Sequence, residues 1–348
     1  MTNKALNPMD ASWLYVESKD TPMHVGGLMI FELPKGAPLS YFQDLFKDSR
    51  EHQRFYPPWN RKLRSSRLKN LRHEWVEEKE VDLDYHVRLS ALPWPGGERE
   101  LGILIARLHS RPLNFRRPPW ECHVIQGLEH NRFALYIKIH HALIDGVSGM
   151  RMLARTLAKT PEDNELPAFW SVPPEPRPPT PPLAAAADAV GGIIGGLKQK
   201  FSSVPELGRA LRELGRAARS KTDPMGVPFK APKSLLNGRI SGQRRFATQL
   251  YSMERVKKLA KAADSSLNDV VLALCSAALR RFLEEAGELP AQPLTAGIPV
   301  SVRPADDQEQ GNAISFIIAS LATDIADPIE RLHAIRASTR RAKAHLQS

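Results

Sequence analysis

Apolar and polar residues alternate most regularly along Phe133-Ala134-Leu135-Tyr136-Ile137-Lys138-Ile139, where every odd position is apolar. A period of two predicts a strand that sends those side chains to one face. Val124 lies in a preceding strand, and the two form the arms of a hairpin with its turn near 127–131. Val25 to Phe31, after the Pro22 breaker, is another predicted strand, whereas Leu101 to His109 carries apolar residues at near-helical spacing. Further on, Val270, Val271, Leu274, Ala278 and Phe282 recur at helical spacing behind Ser266-Leu267-Asn268-Asp269, a capping-box pattern with aspartate in the glutamate position. Leu294 to Val302 and Ala313 to Leu321 read as buried strands. Asp327-Pro328 opens a last helix, aspartate as its cap and proline in its first position.

These elements fall into three parts: 1–160, 161–238 and 239–348. Seven of the ten residues from Pro173 to Pro182 are proline, which excludes a helix or a central strand and predicts a stiff, extended linker. Leu183 to Leu197 is rich in alanine and glycine, and Lys198 to Lys221 is basic with scattered leucines, as in an amphipathic surface helix. At 348 residues two domains are the natural expectation.

Composition narrows the classes. Two cysteines, Cys122 and Cys275, argue against a disulfide framework and fit a reducing compartment. Both read as buried and inert, Cys122 in a strand-like run and Cys275 in an apolar helical pattern. Residues 1–10 lack the apolar core of a signal peptide, and no stretch reaches the length of a membrane-spanning helix. A net charge of +11 favours anionic partners: nucleic acid, an acidic membrane surface or a phosphate-bearing substrate. The densest basic cluster is Arg61-Lys62-Leu63-Arg64 with Arg67, Lys69 and Arg72. It reads as a solvated face, because no aromatics interleave with it and no recognition module accompanies it.

Candidate chemistry sits at the end of the regular strand, in His140-His141-Ala142-Leu143-Ile144-Asp145-Gly146. Adjacent strand residues point to opposite faces, so only one of His140 and His141 enters a given site. Asp145-Gly146 suits a tight turn, after which Ser148 onward reads as a helix with Met150, Leu153, Ala154 and Leu157 on one side. His141 and Asp145 are the pair to watch. A neutral imidazole accepts the proton of an attacking alcohol or amine, and a carboxylate after the turn orients either the ring or the local backbone. A generic His-x-x-x-Asp match is weak, and a strand-end histidine is usually a satisfied polar residue. The doubled histidine and trailing glycine strengthen it. No metal site is expected, since adjacent strand histidines diverge and no His-Glu-x-x-His spacing occurs.

His140-His141-x-x-x-Asp145-Gly146 resembles the signature of the coenzyme-A-dependent acyltransferase superfamily, which includes chloramphenicol acetyltransferase and peptide-synthetase condensation domains. A longer set is similar to the bacterial wax ester synthase/diacylglycerol acyltransferase family. It comprises Leu6-Asn7-Pro8-Met9-Asp10 with Trp13, Pro22-Met23-His24-Val25-Gly26-Gly27, and Pro118-Pro119-Trp120-Glu121, with proline where that family has leucine. Leu236-Asn237, Arg244-Arg245-Phe246, Asn268-Asp269 and Pro299-Val300-Ser301-Val302-Arg303 follow in the family's order.

The resemblance implies an α/β fold of two chloramphenicol-acetyltransferase-like halves with mixed sheets. These are an N-terminal domain over 1–160, a proline-rich linker and basic crossover over 161–238, and a C-terminal domain over 239–348. That family continues through a Ser-Asn-Val-Pro-Gly-Pro element absent here, so the second half is expected to be truncated at Ser348. The implied reaction moves a long-chain acyl group from acyl-CoA, as co-substrate, to a fatty alcohol or diacylglycerol, with no permanently bound cofactor. His141 would be the base, in a channel, with His140 supporting the site. Asp145 and Gly146 would be architectural, Asp145 paired with an arginine such as Arg303. Asn268 would position substrate or stabilise the oxyanion, or else be a polar residue of a first helical turn beside Asp269. The implied setting is cytoplasmic, peripheral to the inner membrane or lipid inclusions, with the stretch from Leu183 to Lys221 as the touching segment and no nucleic-acid partner. The alternatives are a superfamily relative acting on a polyketide or peptide acceptor and a non-catalytic lipid-surface protein.

Overall fold

The computed structural model describes residues 4–6, 8–38, 40–51, 53–64, 73–144, 146–158, 160, 167–173, 231–301 and 314–347. Arg67, Lys69, Arg72, Asp145, Arg303, all of 174–230 and with it nearly the whole proline-rich linker and the basic crossover lie outside the described residues. The chain divides into two compact units, one within 1–180 together with 240–248 and 309–312, the other within 181–239, 249–308 and 313–348. Residues 240–248, which the sequence pattern places in the third part, therefore belong with the first unit.

In the first unit the chain runs β1 (Lys4–Ala5), α1 (Pro8–Val16), β2 (His24–Glu32), α2 (Tyr41–Glu51), β3 (Arg61–Leu63), β4 (Glu74–Glu77), α3 (Leu83–His86), β5 (Val87–Ala91), α4 (Glu98–His109), β6 (Trp120–Leu128), β7 (Arg132–His140) and α5 (Gly146–Ala154). The main sheet has the order β2-β7-β6-β5; β5 lies parallel to β6 and the other pairs are antiparallel. A second, three-stranded sheet has the order β1-β4-β3. There Lys62 pairs with Glu78, and Arg64 lies 3.1 Å from Glu74, so these two members of the basic cluster meet carboxylates.

The alternation along β7 divides two cores. Ala134 and Tyr136 face α4, where Leu101, Leu104, Ile105 and Leu108 pack on them with Ile125 and Leu128. Ile137 and Ile139 face the other way, into a cluster with Trp59, Val87, Trp120, Cys122, Ile144, Phe169 and Trp170. Each fully buried large apolar side chain contributes about 1.5–3 kcal/mol, so any slip of register that turned this strand over would be costly. Gly26 of β2 leaves room for the Tyr136 ring, since a Cβ there would meet the Tyr136 hydroxyl at 2.7 Å.

The second unit contains α6 (Met253–Ala262), α7 (Leu267–Glu285), β8 (Thr295–Ser301), β9 (Ile314–Ser320) and α8 (Pro328–Gln347), with β8 and β9 antiparallel. The capping box at α7 forms as expected. At the start of α8 the Asp327 carboxylate accepts hydrogen bonds from the backbone N–H groups of Ile329 and Glu330.

Two helical faces differ from their patterns. In α5, Leu153 is buried but Met150 is 68% exposed and Ala154 is exposed; Leu157, beyond the helix end, is exposed too. In α7, Val271, Leu274 and Phe282 are exposed, while Val270 and Leu283 carry the packing. Cys275 shares the outer side of α7 and is exposed, contrary to the buried reading, because apolar spacing alone does not say which of two adjacent stripes meets the core. Among the described residues no single helix is long and apolar enough to cross a membrane.

Candidate active site

The end of β7 is held from two sides. The His140 N–H donates to the Pro119 carbonyl at 3.0 Å, and the His141 N–H donates to the Met23 carbonyl at 2.9 Å. Pro119 precedes Trp120, whose indole is wholly buried and donates to the Trp59 carbonyl at 2.8 Å. The Pro-Pro-Trp segment thus anchors the histidine strand through its backbone while its tryptophan fills the core.

The two histidines have different surroundings. His140 is 0% exposed. Its Nδ1 accepts the Ala142 N–H at 3.1 Å, which places the proton of the neutral ring on Nε2. That Nε2 faces Glu17 Oε2 at 3.4 Å, an ion-pair distance, and Phe115 packs edge-on against the ring. His141 is only partly buried, and Trp13 of α1 stacks on its imidazole, centroids 4.1 Å apart and planes within 15°. Glu17 also accepts the Met23 N–H at 3.2 Å. One carboxylate therefore steadies the residue that holds His141 and faces the ring of His140. Of the two, His141 is the less buried ring.

Behind His140, on the α4 side of the sheet, lies a buried polar cluster. His24, register partner of His140, contacts the His109 carbonyl through Nε2 at 2.7 Å, and the Tyr136 hydroxyl lies 2.7 Å from His109 Nδ1. Burial pushes the His24 imidazole down to about 4, so it is neutral near pH 7. Lys138 donates to the carbonyls of Leu108 and Arg111, both at 2.9 Å, satisfying the C-terminal end of α4. Its ammonium lies 3.4 Å from Glu121, which also has His123 at 3.5 Å and Arg88 at 3.8 Å. Burial alone would raise the Glu121 carboxyl, but these neighbours bring it down to about 2. Glu121 thus draws Lys138, His123 and Arg88 into one charged group beside the histidine strand.

Residues 6–271 match the model of the wax ester synthase/diacylglycerol acyltransferase catalytic domain, and residues 310–348 match that family's C-terminal domain. The chain belongs to the wax ester synthase/diacylglycerol acyltransferase family. A putative diacylglycerol O-acyltransferase of Mycobacterium tuberculosis is 45% identical over 100% of this chain and 75% of its own length. The O-acyltransferase WSD of Acinetobacter baylyi is 39% identical over 98% of this chain and 72% of its own. Among solved structures, a wax ester synthase/diacylglycerol acyltransferase from Marinobacter aquaeolei VT8 is 35% identical with a TM-score of 0.73, covering 98% of this chain and 73% of that one. The first condensation domain of the calcium-dependent antibiotic synthetase shares the fold alone, at 13% identity and a TM-score of 0.52 over 99% of this chain and 76% of that one.

Within this acyltransferase, the other sequence candidates divide. Gly146 is the first residue of α5, while Asp145 and its suggested partner Arg303 lie outside the described residues. Asn268 and Asp269 belong to the second unit. Asp269 is buried and capping: it accepts from the Ser266 N–H at 2.9 Å, from the Ser266 hydroxyl at 2.7 Å and from the Thr339 hydroxyl at 2.7 Å. Burial raises its carboxyl, and these donors outweigh that and hold it below the ordinary value. Asn268, beside it in the first turn, is exposed. Cys122 is buried, and burial pushes its thiol up to about 12, which leaves no thiolate for nucleophilic work.

Glu17 is the residue that spacing did not single out. It lies 123 positions before His140, and only the pairing of β2 with β7 brings the α1–β2 connection to the histidines.

Proposed function

We propose that this acyltransferase moves a long-chain acyl group from acyl-CoA to the hydroxyl of a fatty alcohol or a diacylglycerol, with His141 as the general base. The neutral imidazole takes the hydroxyl proton as the oxygen attacks the thioester carbonyl. The tetrahedral intermediate then expels the coenzyme A thiolate, which recovers the proton from the imidazolium. The observation that carries the assignment is the contrast between adjacent rings: His141 partly exposed and clamped by Trp13, His140 sealed and facing Glu17. His140 acts by holding the strand end, and Gly146 lets the chain leave the turn into α5.

The test is His141→Ala, assayed with palmitoyl-CoA against hexadecanol and dipalmitoylglycerol. Transfer to either acceptor falls by about 10²–10⁴-fold with the melting temperature unchanged. Undiminished transfer would remove His141 from the mechanism.

The enzyme works at an anionic lipid surface, a membrane or a lipid inclusion, where both acceptors reside. The net charge of +11 supports this. Co-sedimentation with phosphatidylglycerol vesicles that weakens as salt rises is the expected result; binding equally to phosphatidylcholine vesicles would sink the electrostatic part.

A further inference from the structure

The end of α4 is docked on the two strands that lead into the site. The last carbonyls of a helix have no partner within it, and here side chains of the sheet supply them. Lys138 of β7 donates to the Leu108 carbonyl, and His24, the first residue of β2, reaches the His109 carbonyl through Nε2 at 2.7 Å. Burial keeps the His24 ring neutral near pH 7. A carbonyl only accepts, so the single N–H of that ring is on Nε2. His24 is 7% exposed, and its Nδ1 meets no hydrogen-bond partner among the described residues. The bond to His109 is therefore what keys the ring. The His109 side chain is itself fixed: it meets the His24 ring edge-on, centroids 4.6 Å apart, and its Nδ1 lies 2.7 Å from the hydroxyl of buried Tyr136.

His24 adjoins Met23, whose carbonyl accepts the His141 N–H at 2.9 Å, and it is the register partner of His140. Met23 lies just outside β2, and His141 just beyond the end of β7. At this last rung of the ladder a side chain anchored outside both strands decides where the backbone sits. Glu17 holds the N–H of Met23, and the keyed ring of His24 holds the other end of the same residue. A misplacement of about 1 Å at a reacting group costs on the order of 10²-fold in rate. We propose that His24 is a positioning residue for acyl transfer: by tying the start of β2 to the end of α4 it fixes the Met23 carbonyl, and through that carbonyl the backbone of His141. This rests on the reading of His141 as the base given above.

The amide nitrogen of glutamine reaches the place of a histidine Nε2, whereas that of asparagine stops near Nδ1. His24→Gln therefore keeps a donor for the His109 carbonyl and His24→Asn does not. With palmitoyl-CoA and hexadecanol as substrates, kcat falls about tenfold in His24→Asn and stays within about twofold of wild type in His24→Gln, with both KM values unchanged. Combined with His141→Ala, His24→Asn adds no further loss, because the group it places is gone. The imidazole proton resonances of His141 lose the ring-current shift imposed by the Trp13 indole in His24→Asn and keep it in His24→Gln. Ile125→Val, a small cavity in the core beneath α4, lowers the melting temperature and leaves kcat alone. Where His24→Asn fails to fold, Tyr136→Phe carries the test: it keeps the packing, frees the His109 ring and lowers kcat about threefold. Wild-type kcat in His24→Asn, or in Tyr136→Phe where that variant stands in, overturns the proposal. So does a loss in His24→Gln as large as in His24→Asn, a change confined to KM, or the same loss repeated in the His141→Ala background. If His141→Ala transfers the acyl group as well as wild type, the base assignment fails, and the His141 resonances alone decide whether His24 places that ring.

Discussion

The indole of Trp13 lies flat against the imidazole of His141, 4.1 Å between centroids and 15° between planes. A base of the kind proposed for His141 works best from one ring orientation, and this stack favours one. Trp13→Ala is expected to lower kcat roughly tenfold, equivalent to about 1.4 kcal/mol of lost transition-state stabilisation, and Trp13→Phe to lower it less. Steady-state kinetics decides: a change confined to the KM for the alcohol would make Trp13 a substrate contact instead.

The role expected of Glu17 is positioning. Its carboxylate accepts the Met23 N–H and faces His140 Nε2, so Glu17→Gln keeps an acceptor for Met23 but removes the charge. Glu17→Ala removes both. The expected order of kcat is wild type, then Glu17→Gln, then Glu17→Ala, with little change in either KM. Equal kcat in all three, whatever happens to the melting temperature, would reduce Glu17 to a stability residue.

Much of this site was legible because its signals are local. The alternation along Phe133 to Ile139 gives the strand and its two faces, and Ser266 with Asp269 gives a helix start that forms as written. What stayed hidden depends on long-range pairing. Nothing near Glu17 announces that the β2–β7 ladder will bring it to His140. The close approach of the Phe246 backbone to α4 was equally obscure, although a glycine inside an amphipathic helix, Gly102, is the mark of such an approach. Exposed Met150 and Phe282 show the converse: spacing finds a helix, and only the packed partner selects which apolar stripe it buries.

Acid should destabilise the fold in a defined window. Burial lowers His24 and His86 from 6.5 to about 4 in the folded protein. Between those values the unfolded chain takes up protons that the native state refuses, so stability is full above pH 6.5 and declines as pH falls toward about 4. The slope is about 1.4 kcal/mol per pH unit for each proton. Glu121 contributes elsewhere: its pKa falls from 4.5 to about 2, so its share is present above pH 4.5 and is lost only below it. Burial lowers His109 as well, so urea unfolding followed across the histidine window is expected to show uptake of about two protons from His24 and His86 plus a share from His109, reduced by about one in His24→Gln. An unchanged slope in that variant would show that His24 does not carry the effect.

Asn268 and Asp269 stand side by side but are expected to fail in different ways. Asp269→Ala strips three acceptor contacts from Ser266 and Thr339, the last of which ties α7 to α8. Leaving buried donors unsatisfied costs about 1–3 kcal/mol, which chemical unfolding should register. Asn268 is exposed in the first turn, so Asn268→Ala should change stability by less than about 0.5 kcal/mol. Its activity then separates the two roles that the sequence leaves open. A kcat loss at constant stability assigns Asn268 to substrate positioning or oxyanion stabilisation, because a polar side chain that merely decorates a helical turn has no route to the reacting carbonyl. An unaltered kcat leaves Asp269 as the only member of the pair with work to do, and that work is holding α7 in place.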